Sequence, residues 1–450
     1  MLDSDFLPAA QWVRAFHADA FAQSGPMVTI GLLRGEASVA RVVLRILPEN
    51  AADRNFQYVE RHLKSMLWAY GGNRILLDAP AYLVSRILNH YQHSPTGQFD
   101  SSLIGEKIFG SPIEICGMVA DDIPEPAVHA YPLGRHVDGC RIGFDLGGSD
   151  RKCAALIDGE VVFSEEVEWN PYFEKNPDYH YQGIMDSLQR AAAHLPHVDA
   201  IGGSAAGVYV NNEVRVASLF RGVAADDFEK HVRHIFKRVQ AAWNDVPFVV
   251  INDGEVTALA GAMSLNQNAL LGVSMGTSTA AGYVTPEGHL TNWLNELAFV
   301  PVDYRDDAPV DEWSGDAGCG VQYFSQQGVA RLARLAGFGF AADMPFAEQL
   351  IQIQEHMAKG SDAAYRIYAA IGGAFGHTLA HWATLYTLRH VLILGRVTSG
   401  PGGDVILQQA KSCLATFYPA VHNALQLHIP DEKMKRHGQA VAAASLPAIA

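Results

Sequence analysis

Three glycine-rich segments, each ending an apolar run, constrain what this chain can fold into more than any other feature. They are Ile142-Gly143-Phe144-Asp145-Leu146-Gly147-Gly148-Ser149, running on to Lys152; Gly272-Val273-Ser274-Met275-Gly276-Thr277-Ser278-Thr279; and Leu392-Ile393-Leu394-Gly395, continued by Thr398-Ser399-Gly400-Pro401-Gly402-Gly403-Asp404. Between the first two lies Val249-Val250-Ile251-Asn252-Asp253-Gly254-Glu255. A short apolar run bounded by glycine reads as a buried strand, and glycine leaves bare backbone where a phosphate can approach. One such loop is weak evidence; three in order, with an acidic residue closing a strand, point to phosphoryl-transfer chemistry.

The 450 residues exceed what one hydrophobic core serves, so two or three domains are expected. Acidic residues outnumber Lys and Arg by fifteen, which argues against nucleic acid or an anionic membrane as the main partner. No apolar run is long enough to span a bilayer, and the acidic start Met1-Leu2-Asp3-Ser4-Asp5 is unlike a signal peptide. The five cysteines are scattered without a CxxC pair, so neither a disulfide framework nor a zinc knuckle is indicated. A cytoplasmic protein is the expectation, with a homodimer left open.

Residues 1–138 stand outside the glycine-loop pattern and read as an N-terminal α/β domain of unassigned role. Helical spacing over Ala10 to Phe21 precedes strands near Val28–Leu33 and Ala40–Leu47, joined by a turn at Gly35-Glu36-Ala37-Ser38. A helix is expected from Asn55 to Tyr70, stopped by Gly71-Gly72, then a strand over Arg74–Asp78 and a helix over Tyr82–Tyr91. A Pro- and charge-rich linker follows Asp121. Beyond it come three meander strands from Cys140 to Glu166, helices over Tyr181–Ala193 and Asp227–Ala242, and strands at Ala200–Gly203 and Phe248–Ile251. Strands at Ala269–Met275 and Ala280–Val284 open a second half. It holds helices over Tyr323–Ala336, Phe346–Met357 and Ala363–Arg389, a strand at His390–Leu394, and a closing apolar helix from Met434.

Strand–hairpin–strand with D-x-G-G-S, then N-D opening a helix, then G-T-S-T and a late glycine-rich loop, resembles the actin/Hsp70/sugar-kinase superfamily. More narrowly, the set resembles the ROK (repressor, ORF, kinase) sugar kinases, from about Arg141 to the C-terminus. The resemblance implies an α/β chain with two ribonuclease-H-like, actin-type ATPase lobes around a central cleft, plus the N-terminal domain. The lobes would be 139–252 with 438–450, and 253–437. It also implies ATP-dependent phosphorylation of a hydroxyl on a sugar or sugar derivative, with ATP and Mg²⁺ as cofactors.

On that resemblance Asp253 accepts the hydroxyl proton, and Ser204, Asn252, Asn295 and Glu296 contact the sugar. Gly147, Gly148, Ser149 and Lys152 would hold phosphate, and Asp145 would hold hydrated Mg²⁺ through water. Gly276, Thr277 and Ser278 would form a second phosphate clamp. Gly395, Gly400, Gly402 and Gly403 would flank adenine and ribose. Taken singly, the first hairpin is also an ordinary tight turn, Asp253 an N-cap, and the last loop a surface turn.

The sequence departs from the family in two places. The usual Glu-x-Gly-His runs Glu296-Leu297-Ala298-Phe299 here, and the usual cysteine-rich zinc loop is reduced to Cys319, so no zinc is expected. These departures keep alive an alternative, a non-catalytic sugar or nucleotide sensor of the same fold. A kinase for a non-sugar acceptor ranks lower, there being no Arg pair near Glu296 beyond Arg305. Without a helix-turn-helix followed by basic residues, a DNA-binding repressor is not expected. His377 and His381 read as packing residues.

Overall fold

The computed structural model describes residues 2–35, 38–128, 130–430 and 432–449. Glu36 and Ala37, the middle of the expected first turn, lie outside them. By contact the chain divides into two compact units: 1–129 with 274–280 and 292–428, and 130–273 with 281–291 and 429–450. This division cuts the chain differently from the three segments expected from sequence, because residues 1–129 share their contacts with 292–428.

The reason lies in the helix Ala52–Tyr70. Its apolar spacing promised one buried stripe, yet from Tyr58 to Ala69 only Arg61 and His62 escape burial. A helix buried all round needs cover on every side. One side is supplied by a four-stranded sheet in the order Ser38–Arg45, Met27–Arg34, Arg74–Asp78, Glu114–Gly117, the first three antiparallel and the last parallel to its neighbour. The other comes from the 292–324 segment. The amides of Asn295 and Glu296 donate to the carbonyls of Ala69 and Trp68, at 2.9 and 3.0 Å. The rings of Trp68 and Phe299 sit 4.3 Å apart, and Pro8 bridges to Asp303.

The same unit contains the helices Gln326–Leu335, Phe346–Ala358, Asp362–Trp382 and Pro401–Phe417. The Asp362–Trp382 helix stops seven residues before the expected Arg389, in a turn closed by Thr384 Oγ1 donating to the His381 carbonyl at 2.7 Å. Gly372 and Gly376 let it approach the Pro401–Phe417 helix, where a β-carbon would fall 2.6 Å from the Ile406 carbonyl and from the Cys413 β-carbon. His377 and His381 are buried there, as expected of packing residues.

The second unit is built on a five-stranded sheet in the order Phe248–Asn252, Ala200–Ala205, Cys140–Leu146, Asp150–Ile157, Glu160–Glu168. The first three strands run parallel and the last two complete an antiparallel meander. One face packs Ile142, Phe144 and Leu146 against Phe236, Leu188 and their neighbours. The opposite face carries Gly143 and Gly202, paired in register, and receives the C-terminal helix Glu432–Ala444. A β-carbon on either glycine would stand under 2 Å from the carbonyl oxygens of Ala440 and Ala443, so only glycine admits the helix at this distance. The expected single helix from Asp227 to Ala242 is broken. A wider π-type turn occupies Phe228–Val232, and regular α-helix resumes at Ile235–Ala242.

No helix among the described residues is long and apolar enough to cross a membrane.

Candidate active site

In the second unit, sheet register gathers the candidate polar residues at one end. Ile251, Ser204, Asp145, Lys152 and Glu166 occupy successive positions across all five strands. Residues directly opposite one another share a face, so Ser204, Asp145 and Lys152 lie side by side. Ser204 Oγ donates to Asp145 Oδ1 at 2.6 Å. Asp253 begins the helix Asp253–Leu265 immediately beyond the neighbouring strand.

The cap of that helix is Asn252, not Asp253. Asn252 Oδ1 accepts from the Gly254 amide at 2.7 Å, and its Nδ2 donates to the Gly207 carbonyl at 2.7 Å. Asn252 thus does the capping that the alternative reading gave to the aspartate. Asp253 Oδ1 takes a longer share of the same amide, at 3.0 Å, and the side chain is half-buried.

The electrostatics follow first from burying carboxylates at this edge. Asp145 is pushed up to about 6 by burial first, with the Asp253 and Asp150 charges adding to it, against the lowering pull of the Ser204 hydroxyl and Lys152. Asp253 is also raised, by burial, although the Gly254 amide works the other way. Tyr209, which the sequence reading passed over, lies near enough for the Asp253 charge to add to burial in raising its phenol. Its hydroxyl donates to the Ala206 carbonyl at 3.0 Å. Nothing local in the sequence marks it; only the Val208–Val210 strand folding back brings it there.

The Gly147-Gly148-Ser149 turn is a tight hairpin closed by the Gly147 amide donating to the Asp150 carbonyl at 2.9 Å. Its surroundings are more crowded and more acidic than the motif alone suggests. Trp169 Nε1 donates to the Gly147 carbonyl at 2.7 Å. The Tyr172 phenol fills the side of Gly148 where a β-carbon would stand. Asp150 accepts from Ser149 Oγ at 2.9 Å and lies 3.4 Å from Lys152 Nζ. An open concavity of about 520 Å³ beside the turn is lined by Ser149, Asp150, Glu166, Glu168, Trp169 and Asn170.

The remaining candidates fall in the first unit. The Gly276-Thr277-Ser278 turn is exposed at Thr277 and Ser278, and the Gly276 carbonyl accepts from the Gln326 amide at 2.9 Å. Gly395, at φ 101°, packs so tightly on Met275 that a β-carbon would lie 2.4 Å from its carbonyl oxygen; the second and third glycine segments therefore meet. The third is not a surface turn. Pro401, Gly402 and Gly403 form the first turn of the Pro401–Phe417 helix, with proline where its fixed φ suits helix entry. Gly402 and Gly403 are buried, the former against the Tyr368 ring, while Gly400 has open space around it.

Asn295 is fully buried at φ +53°, its Oδ1 accepting from Tyr386 Oη at 3.1 Å. Glu296 is half-buried beside it. Asn292, which the sequence reading did not single out, has a buried Oδ1 with no hydrogen-bond partner among the described residues.

No protein-family model matches the chain, and no curated protein matches it in sequence. Solved structures do match. A ROK hexokinase from Thermus thermophilus aligns with TM-score 0.52 and 16% identity, over 68% of this chain and 97% of that one. A ROK family glucokinase from Streptomyces griseus, in complex with glucose and AMPPNP, gives 0.52 and 18%, over 69% of this chain and 99% of that one. A ROK family transcriptional regulator, a homolog of the E. coli MLC protein, gives 0.52 and 18%, over 69% and 78%. At such identities the likeness is one of fold: over about two thirds of its length, this chain has the α/β fold shared by these ROK hexokinase, glucokinase and regulator structures.

Proposed function

We propose that the protein phosphorylates a hydroxyl of a sugar or sugar derivative at the expense of ATP, with Asp253 as the proton acceptor. The observation that carries this reading is the placing of Asp253 at the start of a helix one strand away from the Asp145–Ser204 pair, where Asn252 is the main cap. A half-buried carboxylate that only shares the capping amide, through one oxygen, is placed to receive a hydroxyl proton. Mg²⁺-ATP would supply the phosphoryl group, and its loose transition state needs positioning and charge neutralisation more than a strong base. Asp145, ionised by a neighbouring cation and oriented by Ser204, is the group suited to hold hydrated Mg²⁺. Gly147, Gly148, Ser149, Lys152 and the Gly276–Ser278 turn are the proposed phosphate contacts. Gly395, Gly400, Gly402 and Gly403 are assigned to the nucleoside. Ser204, Asn252, Asn295 and Glu296 are assigned to the sugar.

A second reading has its own support: a sugar sensor that does not transfer phosphate. Tyr172 covers Gly148, and Asp150, Glu166 and Glu168 outnumber Lys152 around the turn, surroundings that repel a triphosphate. A coupled ATP-consumption assay over a panel of monosaccharides, with calorimetric binding alongside, separates the two. Sugar-dependent ATP consumption supports the kinase. Sugar binding without turnover selects the sensor.

A further inference from the structure

The far end of the same sheet carries a second cluster of ligating groups. Cys140 opens the Cys140–Leu146 strand, and Asp199 immediately precedes the parallel Ala200–Ala205 strand. The two are locked in register: the Asp199 amide donates to the Cys140 carbonyl at 2.8 Å, and the Cys140 amide donates to Asp199 Oδ2, also at 2.8 Å. Two residues earlier on the loop, His197 Nε2 stands 3.2 Å from Asp199 Oδ2. The Cys140 sulfur, a His197 ring nitrogen and an Asp199 carboxylate oxygen all lie within 4.8 Å of one another.

We propose that Cys140, His197 and Asp199 form a binding site for a borderline-soft divalent cation of the zinc type, independent of the sugar-kinase reading. One sulfur, one imidazole nitrogen and one carboxylate oxygen form a donor set that suits zinc, and that magnesium and calcium disfavour. Donor atoms around a tetrahedral zinc stand about 3.3–3.7 Å apart. The His197–Asp199 distance already approaches this, and His197, 64% exposed, is free to swing the remaining distance. Its exposed side leaves a fourth position open to solvent.

The site would tie the start of two adjacent parallel strands to the 193–199 loop, at the opposite end from Asp145 and Ser204. It departs from the expectation of no zinc, which rested on the lack of a CxxC pair and on the reduced loop around Cys319. Sequence spacing could not reveal it, because fifty-six residues lie between Cys140 and His197.

The test uses the untagged, metal-stripped full chain, titrated with Zn²⁺ against a chromogenic chelator and separately with Co²⁺. One equivalent should bind, and Co²⁺ should produce the intense near-ultraviolet thiolate charge-transfer band. Cys140→Ser should remove that band. His197→Ala, a change at an exposed side chain, should weaken Zn²⁺ binding at least tenfold with the circular dichroism unchanged. Substoichiometric binding, a band that persists in Cys140→Ser, or unchanged affinity in His197→Ala would each overturn the proposal.

Discussion

Each unit buries a cluster of charged side chains, and the two clusters are composed very differently. In the first unit, Lys64 Nζ lies 3.0 Å from Asp100 Oδ2 and 2.8 Å from Asp316 Oδ2, with all three side chains almost or wholly buried. Arg61 reaches both Asp316, at 3.0 Å, and Glu60, at 2.5 Å. Trp68 Nε1 adds a donor to Asp100 at 3.0 Å, and His90 stands 3.4 Å from Glu60. Burial alone would raise Asp316, but the Arg61 and Lys64 charges hold it well below the carboxylate range. In the second unit, Asp145 and Asp253 share an edge with one nearby ammonium, Lys152, which is itself paired with Asp150. There burial prevails and both acids are raised, as burial also raises Asp100 in the first unit; neither is held down as Asp316 is. Cations interleaved with carboxylates hold a structure together; carboxylates left to each other's company at a strand end wait for a cation or a proton.

The sharpest way to break the comparison is chemical. Asp253→Asn should cut sugar phosphorylation by about 10⁴-fold, the upper end for a positioned acid or base, with the fold retained in circular dichroism. A variant turning over at near wild-type rate refutes the role given to Asp253. Next in size is Lys64→Met. Removing the cation leaves Asp100 and Asp316 buried against each other, and the first unit should lose about 3–5 kcal/mol in chemical denaturation. A loss under about 1 kcal/mol would mean that the network is not holding the Ala52–Tyr70 helix.

Asp145→Asn should move stability the other way. An acid raised in the folded state contributes stability below its unfolded value, and that contribution is lost as pH rises through the folded value. For Asp145 the window runs from the ordinary 3.8 to about 6. At pH 7.5 the variant should therefore be more stable than wild type by about 2–3 kcal/mol, and at pH 4 the two should converge. Equal stability at pH 7.5 would place no strain on Asp145. The smallest effect belongs to the surface: Arg74, paired with Glu114 while both stand half exposed, should change stability by less than about 0.5 kcal/mol on replacement by Gln.

Much of the second unit was legible because its signals are local. Apolar runs ending in glycine marked the strands, and Asn252-Asp253 at the end of one marked the helix that follows. What sequence could not supply is contact between distant segments. Trp169 and Tyr172 reach the Gly147–Ser149 turn from some twenty residues away, and no pattern in either segment announces it. Nothing in the sequence singles out Lys64, since a charge on a helix with one apolar stripe ordinarily faces water; here it lies buried between Asp100 and Asp316. Asp316, one of its two partners, comes from the distant 292–324 segment. The Gly400–Gly403 stretch misled differently: proline among glycines favours a turn, but proline at a first helical position favours a helix, and the apolar residues after Asp404 decide for the helix.

The contrast between the two clusters rests on the protonation of Asp145, which site-resolved carboxyl ¹³C NMR can follow directly across pH in the full-length protein. The account predicts a midpoint of about 6, moving down in Asp253→Asn and further down when Mg²⁺-ATP is added. A midpoint at the ordinary 3.8, unmoved by either change, would contradict it.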